Sequence, residues 1–289
     1  MDILTAIILG IVEGITEFLP ISSTGHLILA GHLLSFKGRL AGTFDIVIQL
    51  GAILAVVILY RRRFIGLLPK GGWMNWSDRG AGFVGFQGCL LLGLTTLPAL
   101  IIGKLAYKSI KGYLFNPTSV AVAMAVGGIG ILLVELRRKR ARITSLDWIG
   151  WPEALAIGLF QCLSMWPGIS RAGATIIGGL LNGLDRKTAA EYSFLAAVPV
   201  MVAATGYDFY KNYSQFQRDD LLFLGLGFVV AFIVAYFSVG VFIRLLQRWT
   251  LKPFAWYRLA LAPIILLFWP EAEGAASNII LDIQEHGGK

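Results

Sequence analysis

Residues 13 to 26 read EGITEFLPISSTGH, a run of acid, hydroxyl and imidazole side chains between two stretches of nearly pure hydrocarbon. Glu13 and Glu17 are four apart, so a helix sets both carboxylates on one face. Two like charges in a poorly solvated place need a proton or a cation between them, unless they line a solvated mouth. Pro20 stops that helix. Ser22, Ser23 and Thr24 follow with Gly25, a turn that can present hydroxyls and backbone N–H groups to an anion. His26 lies three residues beyond Ser23, close enough in a turn or a new helix to take a hydroxyl proton. His32, among apolar neighbours, reads as structural.

A second polar run, WPGISRAGAT at residues 166 to 175, places Arg171 beside Ser170, between Gly168 and Gly173, with Thr175 one helical turn beyond. A guanidinium is a planar fork that suits phosphate oxygens, and a helix N-terminus adds donors. Alternatively Arg171 pairs with Glu13 or Glu17 and ties the two runs together. The two roles are compatible, because an anion can displace such a pair.

These groups need a scaffold, and the composition points to a membrane. Of 289 residues 56% are hydrophobic and only 15% charged, with a mean hydropathy of +0.72, more apolar surface than water accommodates. Ionisable side chains at hydrocarbon depth mark function by default. Six stretches are long and apolar enough to span, near residues 44 to 60, 83 to 103, 118 to 136, 188 to 208, 220 to 243 and 253 to 269. Two more, near 3 to 34 and 152 to 182, are broken mid-way by Pro, Gly, Ser and a charge. Such breaks suit re-entrant helical hairpins, since irregular backbone at this depth must be shielded by protein or line a wet cavity. The expected fold is therefore an all-α integral membrane protein with about six transmembrane helices and two re-entrant hairpins, forming one membrane domain over 1–289. No cleavable signal is evident ahead of the first polar run. Cys89 and Cys162 lie in separate apolar segments and read as small hydrophobes.

Basic residues orient the chain. One set of loops carries Arg61, Arg62, Arg63, Lys70, Arg79, Arg137, Arg138, Lys139, Arg140, Arg142, Arg186, Lys187, Arg244, Arg248 and Lys252. The other has only Lys37, Arg39, Lys104, Lys108, Lys111, Lys211, Arg218 and Lys289. The richer side is cytoplasmic by the positive-inside rule, so both termini and the first hairpin face outward. The net charge of +8 is largely this signal, with some attraction to anionic lipid. No aromatic-basic interleaving suggests nucleic acid.

Sliding the chain by 148 residues lays GIVEGITEFLPISSTGHLILAG over GLFQCLSMWPGISRAGATIIGG, so that Gly10 meets Gly158, Glu13 meets Gln161, Ser22 meets Ser170 and Gly25 meets Gly173. The matches fall on the two polar breaks. Three spans separate the hairpins, which predicts an inverted-topology repeat with halves at about 1–145 and 150–270, and a tail at 271–289. In such repeats the two breaks meet near the midplane and form one site.

EGITEFLPISSTGH together with PGISRAGAT resembles the undecaprenyl pyrophosphate phosphatases of the bacitracin-resistance type. The resemblance runs from Leu4 to about Trp269 and includes FDIVIQLGAILAVV and AAEYSFLAAVP. It implies an enzyme of the bacterial inner membrane that hydrolyses a C55 polyprenyl diphosphate to the monophosphate and inorganic phosphate, recycling the cell-wall lipid carrier, with its site opening outward. By motif match, Glu13, Glu17, Ser23, His26 and Arg171 form the expected catalytic set. Ser22, Thr24, Ser170, Thr175, Gly168 and Gly173 are the expected substrate-binding set. Ala172 departs from the family, which often has Ser there. Ser23 is the expected nucleophile, with His26 or Glu17 taking its proton; attack by water or by His26 stays open. Glu13 and Glu17 are candidate ligands of Mg²⁺ or Ca²⁺, and no organic cofactor is expected. Besides the lipid substrate and membrane lipids, a homo-oligomer is compatible with the sequence.

A polyprenyl-phosphate flippase or secondary transporter is the rival class, since inverted repeats are transporter architecture. Of the remaining polar groups, Asp45, Gln49, Glu191 and Arg258 are expected to satisfy one another or the hairpin backbone, with site-lining roles open for Gln49 and Glu191. Gly127, Gly128, Gly130, Gly225 and Gly227 are expected to allow close helix packing.

Overall fold

The computed structural model describes residues 2–36, 39–68, 82–137, 140–212 and 220–268. The tail at 271–289 and Lys37, Lys70, Arg79, Arg138, Lys139, Arg218 and Lys289 lie outside them. Among the described residues the protein is helical throughout, with α1 Ile3–Thr16, α2 Ser23–Leu33, α3 Arg39–Leu59, α4 Arg61–Leu67, α5 Gly85–Tyr113, α6 Pro117–Leu136, α7 Trp151–Gln161, α8 Arg171–Leu181, α9 Arg186–Asn212, α10 Leu221–Leu246 and α11 Lys252–Phe268. Two 3₁₀ turns, Leu146–Trp148 and Cys162–Met165, join them.

Among the described residues five helices are long and apolar enough to cross a bilayer: Ala41–Leu59, Gly85–Ala106, Pro117–Leu136, Arg186–Tyr207 and Leu221–Leu246. The sixth expected span is α11, which has 17 described residues and stops where the described chain stops. The chain is a multi-pass membrane protein. Both broken stretches are helical hairpins: α1 and α2 flank the break at 17–22, and α7 and α8 flank the one at 162–170.

Local chemistry sets the helix ends. Asp2 caps α1 by accepting from Thr5 N at 2.7 Å, and Asn116 caps α6 by accepting from Ser119 N at 2.8 Å, with Pro117 at the first helical position. Glu153 reaches back to accept from Gly150 N at 3.1 Å and closes the start of α7. Pro98, Pro199 and Pro263 sit inside α5, α9 and α11, as membrane helices tolerate where neighbours absorb the freed carbonyl.

The main contacts of the long helices come in pairs between the two expected halves. Each hairpin packs on the second long helix of the opposite half, α1 on α10 and α7 on α5. The first long helices α3 and α9 meet each other, as do the third ones, α6 and α11; α3 with α10 answers α9 with α5. Glycine makes the two hairpin crossings possible at matched positions. A Cβ at Gly10 would stand 2.9 Å from Gly227 O, and one at Gly158 would stand 2.8 Å from Leu94 O. Gly127 and Gly128 also adjoin α11 closely, whereas Gly130 and Gly225 have ordinary or open space around them, so close packing does not explain those two.

The ends assigned to the basic side come together. Arg63 donates to Asp147 Oδ1 at 2.8 Å beside Phe83 N at 3.0 Å. Arg186 Nε donates to Glu135 Oε1 at 2.8 Å, and Leu251 N to the same oxygen at 2.9 Å. Arg142 N and Ile143 N both donate to Gly183 O. Burial pushes the Asp147 carboxyl up, but the Phe83 N–H and the Arg63 guanidinium outweigh it and hold it below its ordinary value.

Candidate active site

Two serines shape the breaks. Ser22 and Ser170, 148 residues apart, both take left-handed backbone, with φ of 73° and 71°. Each then caps the following helix. Ser22 Oγ accepts from Gly25 N at 3.4 Å and Ser170 Oγ from Gly173 N at 3.1 Å. Non-glycine residues adopt this conformation at a cost of about 1–3 kcal/mol, so the surroundings must impose it. The consequence is that Ser23 and Arg171 are the first residues of α2 and α8, side by side with two helix N-termini. Ser170 Oγ also lies 3.4 Å from Leu19 O, joining one break to the other.

Glu17 is the hub. Its side chain is 7% exposed; Oε2 accepts from the Ser23 hydroxyl at 2.6 Å and Oε1 from Arg171 Nη2 at 3.2 Å. Arg171 also donates through Nη1 to Ser193 O at 3.2 Å and lies over the Phe18 ring, 5.6 Å from its centroid. Its Nε is buried without a partner among the described residues. The guanidinium is thus held on two sides and keeps a donor unspent.

These groups line a cavity of about 260 Å³. Of the residues expected in the site, Glu17, Ser22, Ser23, Thr24, Gly168, Ser170 and Arg171 line it, with Gln49 and Ser164 and an apolar wall of Val200, Met201 and Ala204 from α9. Four expected residues stand outside the lining. Thr175 is fully buried, because its hydroxyl folds back on Arg171 O at 2.8 Å and meets Ser193 Oγ at 2.6 Å. The Gly173 N–H is spent on the Ser170 cap. Glu13 is 1% exposed, and both its oxygens lack a partner among the described residues.

His26 is the fourth. Its Nδ1 lies 2.7 Å from Ser22 O, an oxygen that only accepts, so Nδ1 carries the proton. In the neutral ring Nε2 then accepts from the Tyr257 hydroxyl at 2.7 Å, and the two rings stack 7° from parallel. The Ser23 hydroxyl is therefore bonded to Glu17 and not to His26, which braces the Ser22 turn against α11.

Tyr257 on α11 is a contributor that sequence reasoning did not single out, and its neighbour Arg258 has a wider reach than expected. Arg258 satisfies hairpin backbone, as expected, but at both breaks at once: Nη1 donates to Pro20 O at 3.2 Å and Ile169 O at 2.7 Å. Glu191 pairs with Lys187 at 4.0 Å, away from the cavity.

Fold and site together define a multi-pass helical membrane protein in which two broken helices bring hydroxyls, a carboxylate and a guanidinium to one buried cavity. Comparison with known proteins gives that class a family. Residues 6–264 match the family described as Bacitracin resistance protein BacA, and the chain belongs to it. It is 58% identical over 268 residues to the undecaprenyl-diphosphatase of Solidesulfovibrio magneticus, covering 93% of this chain and 98% of that one. It is 56% identical over 269 residues to that of Maridesulfovibrio salexigens, covering 93% and 99%. Undecaprenyl-diphosphatase 1 of Bacillus anthracis is 48% identical over 267 residues, covering 92% and 98%.

Proposed function

We propose that this protein hydrolyses undecaprenyl diphosphate to undecaprenyl phosphate and inorganic phosphate, using Ser23 as nucleophile and Glu17 as its base. The observation that carries the reading is the chain of bonds from the Ser23 hydroxyl through Glu17 to Arg171 at the junction of the two breaks. The relatives' names supply the substrate, and the cavity fits its parts: polar groups for the diphosphate and the α9 wall for the first isoprene units.

Ser23 Oγ attacks the terminal phosphorus as its proton passes to Glu17. The bond from that phosphorus to the bridging oxygen breaks, and undecaprenyl phosphate leaves. Protonation of Glu17 removes the charge that held Arg171, so the guanidinium is released to follow negative charge on the transferring phosphoryl. The amides at the starts of α2 and α8 face the same charge. Glu17 then gives its proton to the leaving oxygen, takes one from the water that attacks the phosphoserine, and passes it to Ser23 Oγ as the bond from phosphorus to Oγ breaks and inorganic phosphate leaves.

Glu13 and Glu17 would hold a divalent cation of the Mg²⁺ or Ca²⁺ type, and when bound it supplies shielding of the diphosphate charge. The two unpartnered oxygens of Glu13 fit that role. Among the described residues no group of three or more His, Cys, Asp or Glu is placed to hold a metal, so substrate oxygens and water would complete the shell. The site opens to the outer face of the bacterial inner membrane. Support comes from the basic chain ends around Arg63, Arg142, Arg186 and Leu251, which gather together away from the cavity lining. The halves are related by an inverted repeat, a reading supported by the paired contacts of α1 with α10 and α7 with α5, and of α3 with α10 and α9 with α5.

The carrier reading finds no support among the relatives, and it gives no use to a serine already bonded to a carboxylate. The test is phosphate release from a polyprenyl diphosphate by purified protein in detergent, comparing wild type with Ser23→Ala and Arg171→Ala, with and without chelator. Release by wild type and its loss in both variants supports the reading. A folded wild type that releases none with any cation contradicts it.

A further inference from the structure

Among the described residues Arg258 is the largest fully buried side chain, at 0% exposure, and it makes no salt bridge to a carboxylate. Its charge is met by carbonyl dipoles alone. Nε donates to Met124 O at 3.0 Å, Nη1 to Pro20 O at 3.2 Å and Ile169 O at 2.7 Å, and Nη2 to Ala123 O at 3.2 Å and Gly168 O at 2.9 Å. All five N–H donors of the guanidinium are used. The acceptors come from three segments: the first break, the second break and the middle of α6.

The place of these carbonyls matters. Pro20 O lies two residues before Ser22, and Ile169 O immediately precedes Ser170, the two left-handed residues that start α2 and α8. Such conformations persist only where the surroundings over-determine them. A single rigid fork bonded to backbone on both sides fixes the distance between the breaks as well as their shape. Ser23 and Arg171 ride on those breaks one residue further on. The α6 face is cut to admit the fork, since a Cβ at Gly127 would overlap the guanidinium.

We infer that Arg258 is a positioning residue for phosphoryl transfer: it sets the register between the two breaks, and through them the placement of Ser23 against Arg171. The inference rests on the proposed phosphatase reading. Arg258 does not itself line the cavity and meets its wall only through the Gly168 carbonyl, so its effect is on turnover through geometry, not on binding of the lipid.

Two variants disturb the fork differently. Arg258→Lys keeps the charge but has three donors for five acceptors. Gly127→Ala keeps the guanidinium and displaces it. Leu261→Ala, a buried truncation on the same α11 face, serves as a control for loss of packing. Each is measured for folded fraction by size exclusion and thermal unfolding in detergent, then for kcat and KM on a polyprenyl diphosphate. Misplacement by about an ångström costs on the order of 10²-fold in rate, so both variants should lose kcat on that scale with KM little changed. Leu261→Ala should lose stability with kcat retained. The double variant Arg258→Lys/Gly127→Ala should turn over no more slowly than Arg258→Lys alone, because the clash partner is gone.

Wild-type kcat in folded Arg258→Lys or folded Gly127→Ala overturns the inference. So does full additivity in the double variant, or loss of folding in both variants while Leu261→Ala folds, which would make Arg258 a residue of the fold alone. A wild type without phosphate release fails the functional reading instead, and is distinguished by that lane.

Discussion

Ser23 donates its hydroxyl proton to Glu17 across 2.6 Å, and the same carboxylate accepts from Arg171 with its other oxygen. The proposed nucleophile, its proposed base and the guanidinium proposed to meet the phosphoryl are therefore one hydrogen-bonded unit joining the two breaks. Moving the Ser23 proton changes the charge on Glu17 and with it the hold on Arg171.

Replacing Ser23 with Ala should abolish phosphate release while leaving lipid binding and thermal stability close to wild type. The hydroxyl is half-buried and makes one bond, so its removal leaves Glu17 paired with Arg171. Measured by phosphate release and by binding of a non-hydrolysable diphosphate analogue, retained binding without turnover is the expected result.

Arg171→Lys keeps the charge but loses the fork that reaches Glu17 and Ser193 O together. Turnover should fall by about 10²–10³-fold, the usual scale for removing a preorganised donor at a developing charge. Near-normal kcat in this variant would show that a point charge suffices there.

Glu17→Gln removes the proposed base and strands a guanidinium that is only 12% exposed. Breaking a buried pair from one side costs about 3–5 kcal/mol, so thermal unfolding should shift sharply downward. The double variant Glu17→Gln/Arg171→Met should recover most of that stability and none of the activity, separating the structural from the catalytic part of the pair.

Asp147 is held below the ordinary aspartate range in the folded protein by Phe83 N and Arg63 against its burial. A lowered folded value gives stability that is present above the unfolded value and is lost as pH falls through the folded one. Wild type should therefore lose stability relative to Asp147→Asn only in acid, near and below the ordinary aspartate range. Unfolding midpoints for both proteins between pH 7 and pH 3 check this; a difference already closed near pH 7 would count against it.

Much of this architecture was legible because it runs against the membrane. Glu13, Glu17 and Arg171 stand out in hydrocarbon by type alone, and Pro20 and Pro167 mark the breaks beside them. The offset of 148 residues paired Ser22 with Ser170 before their shared backbone was visible. What the sequence left hidden depends on acceptors that every residue carries. Arg258 bonds five backbone carbonyls from distant segments, and carbonyls have no sequence signature. Spacing alone leaves both His26 and Glu17 as partners for the Ser23 hydroxyl, and the structure gives it Glu17. As the fourth residue of α2, His26 lies one helical turn on from Ser22, so its Nδ1 reaches back to Ser22 O and its other face meets Tyr257. Thr175 was misjudged for a similar reason, since a threonine at that depth folds its hydroxyl onto its own helix. The short helix α4 and the two 3₁₀ turns were too brief to leave a periodic signal.

The most direct test of Ser23 as nucleophile is a single-turnover rapid quench with polyprenyl diphosphate labelled in its terminal phosphate, followed by peptide mapping. Label should appear transiently on the peptide containing Ser23 and be absent in Ser23→Ala. Full phosphate release with no protein-bound label at any time, or label on His26 in place of Ser23, would contradict it.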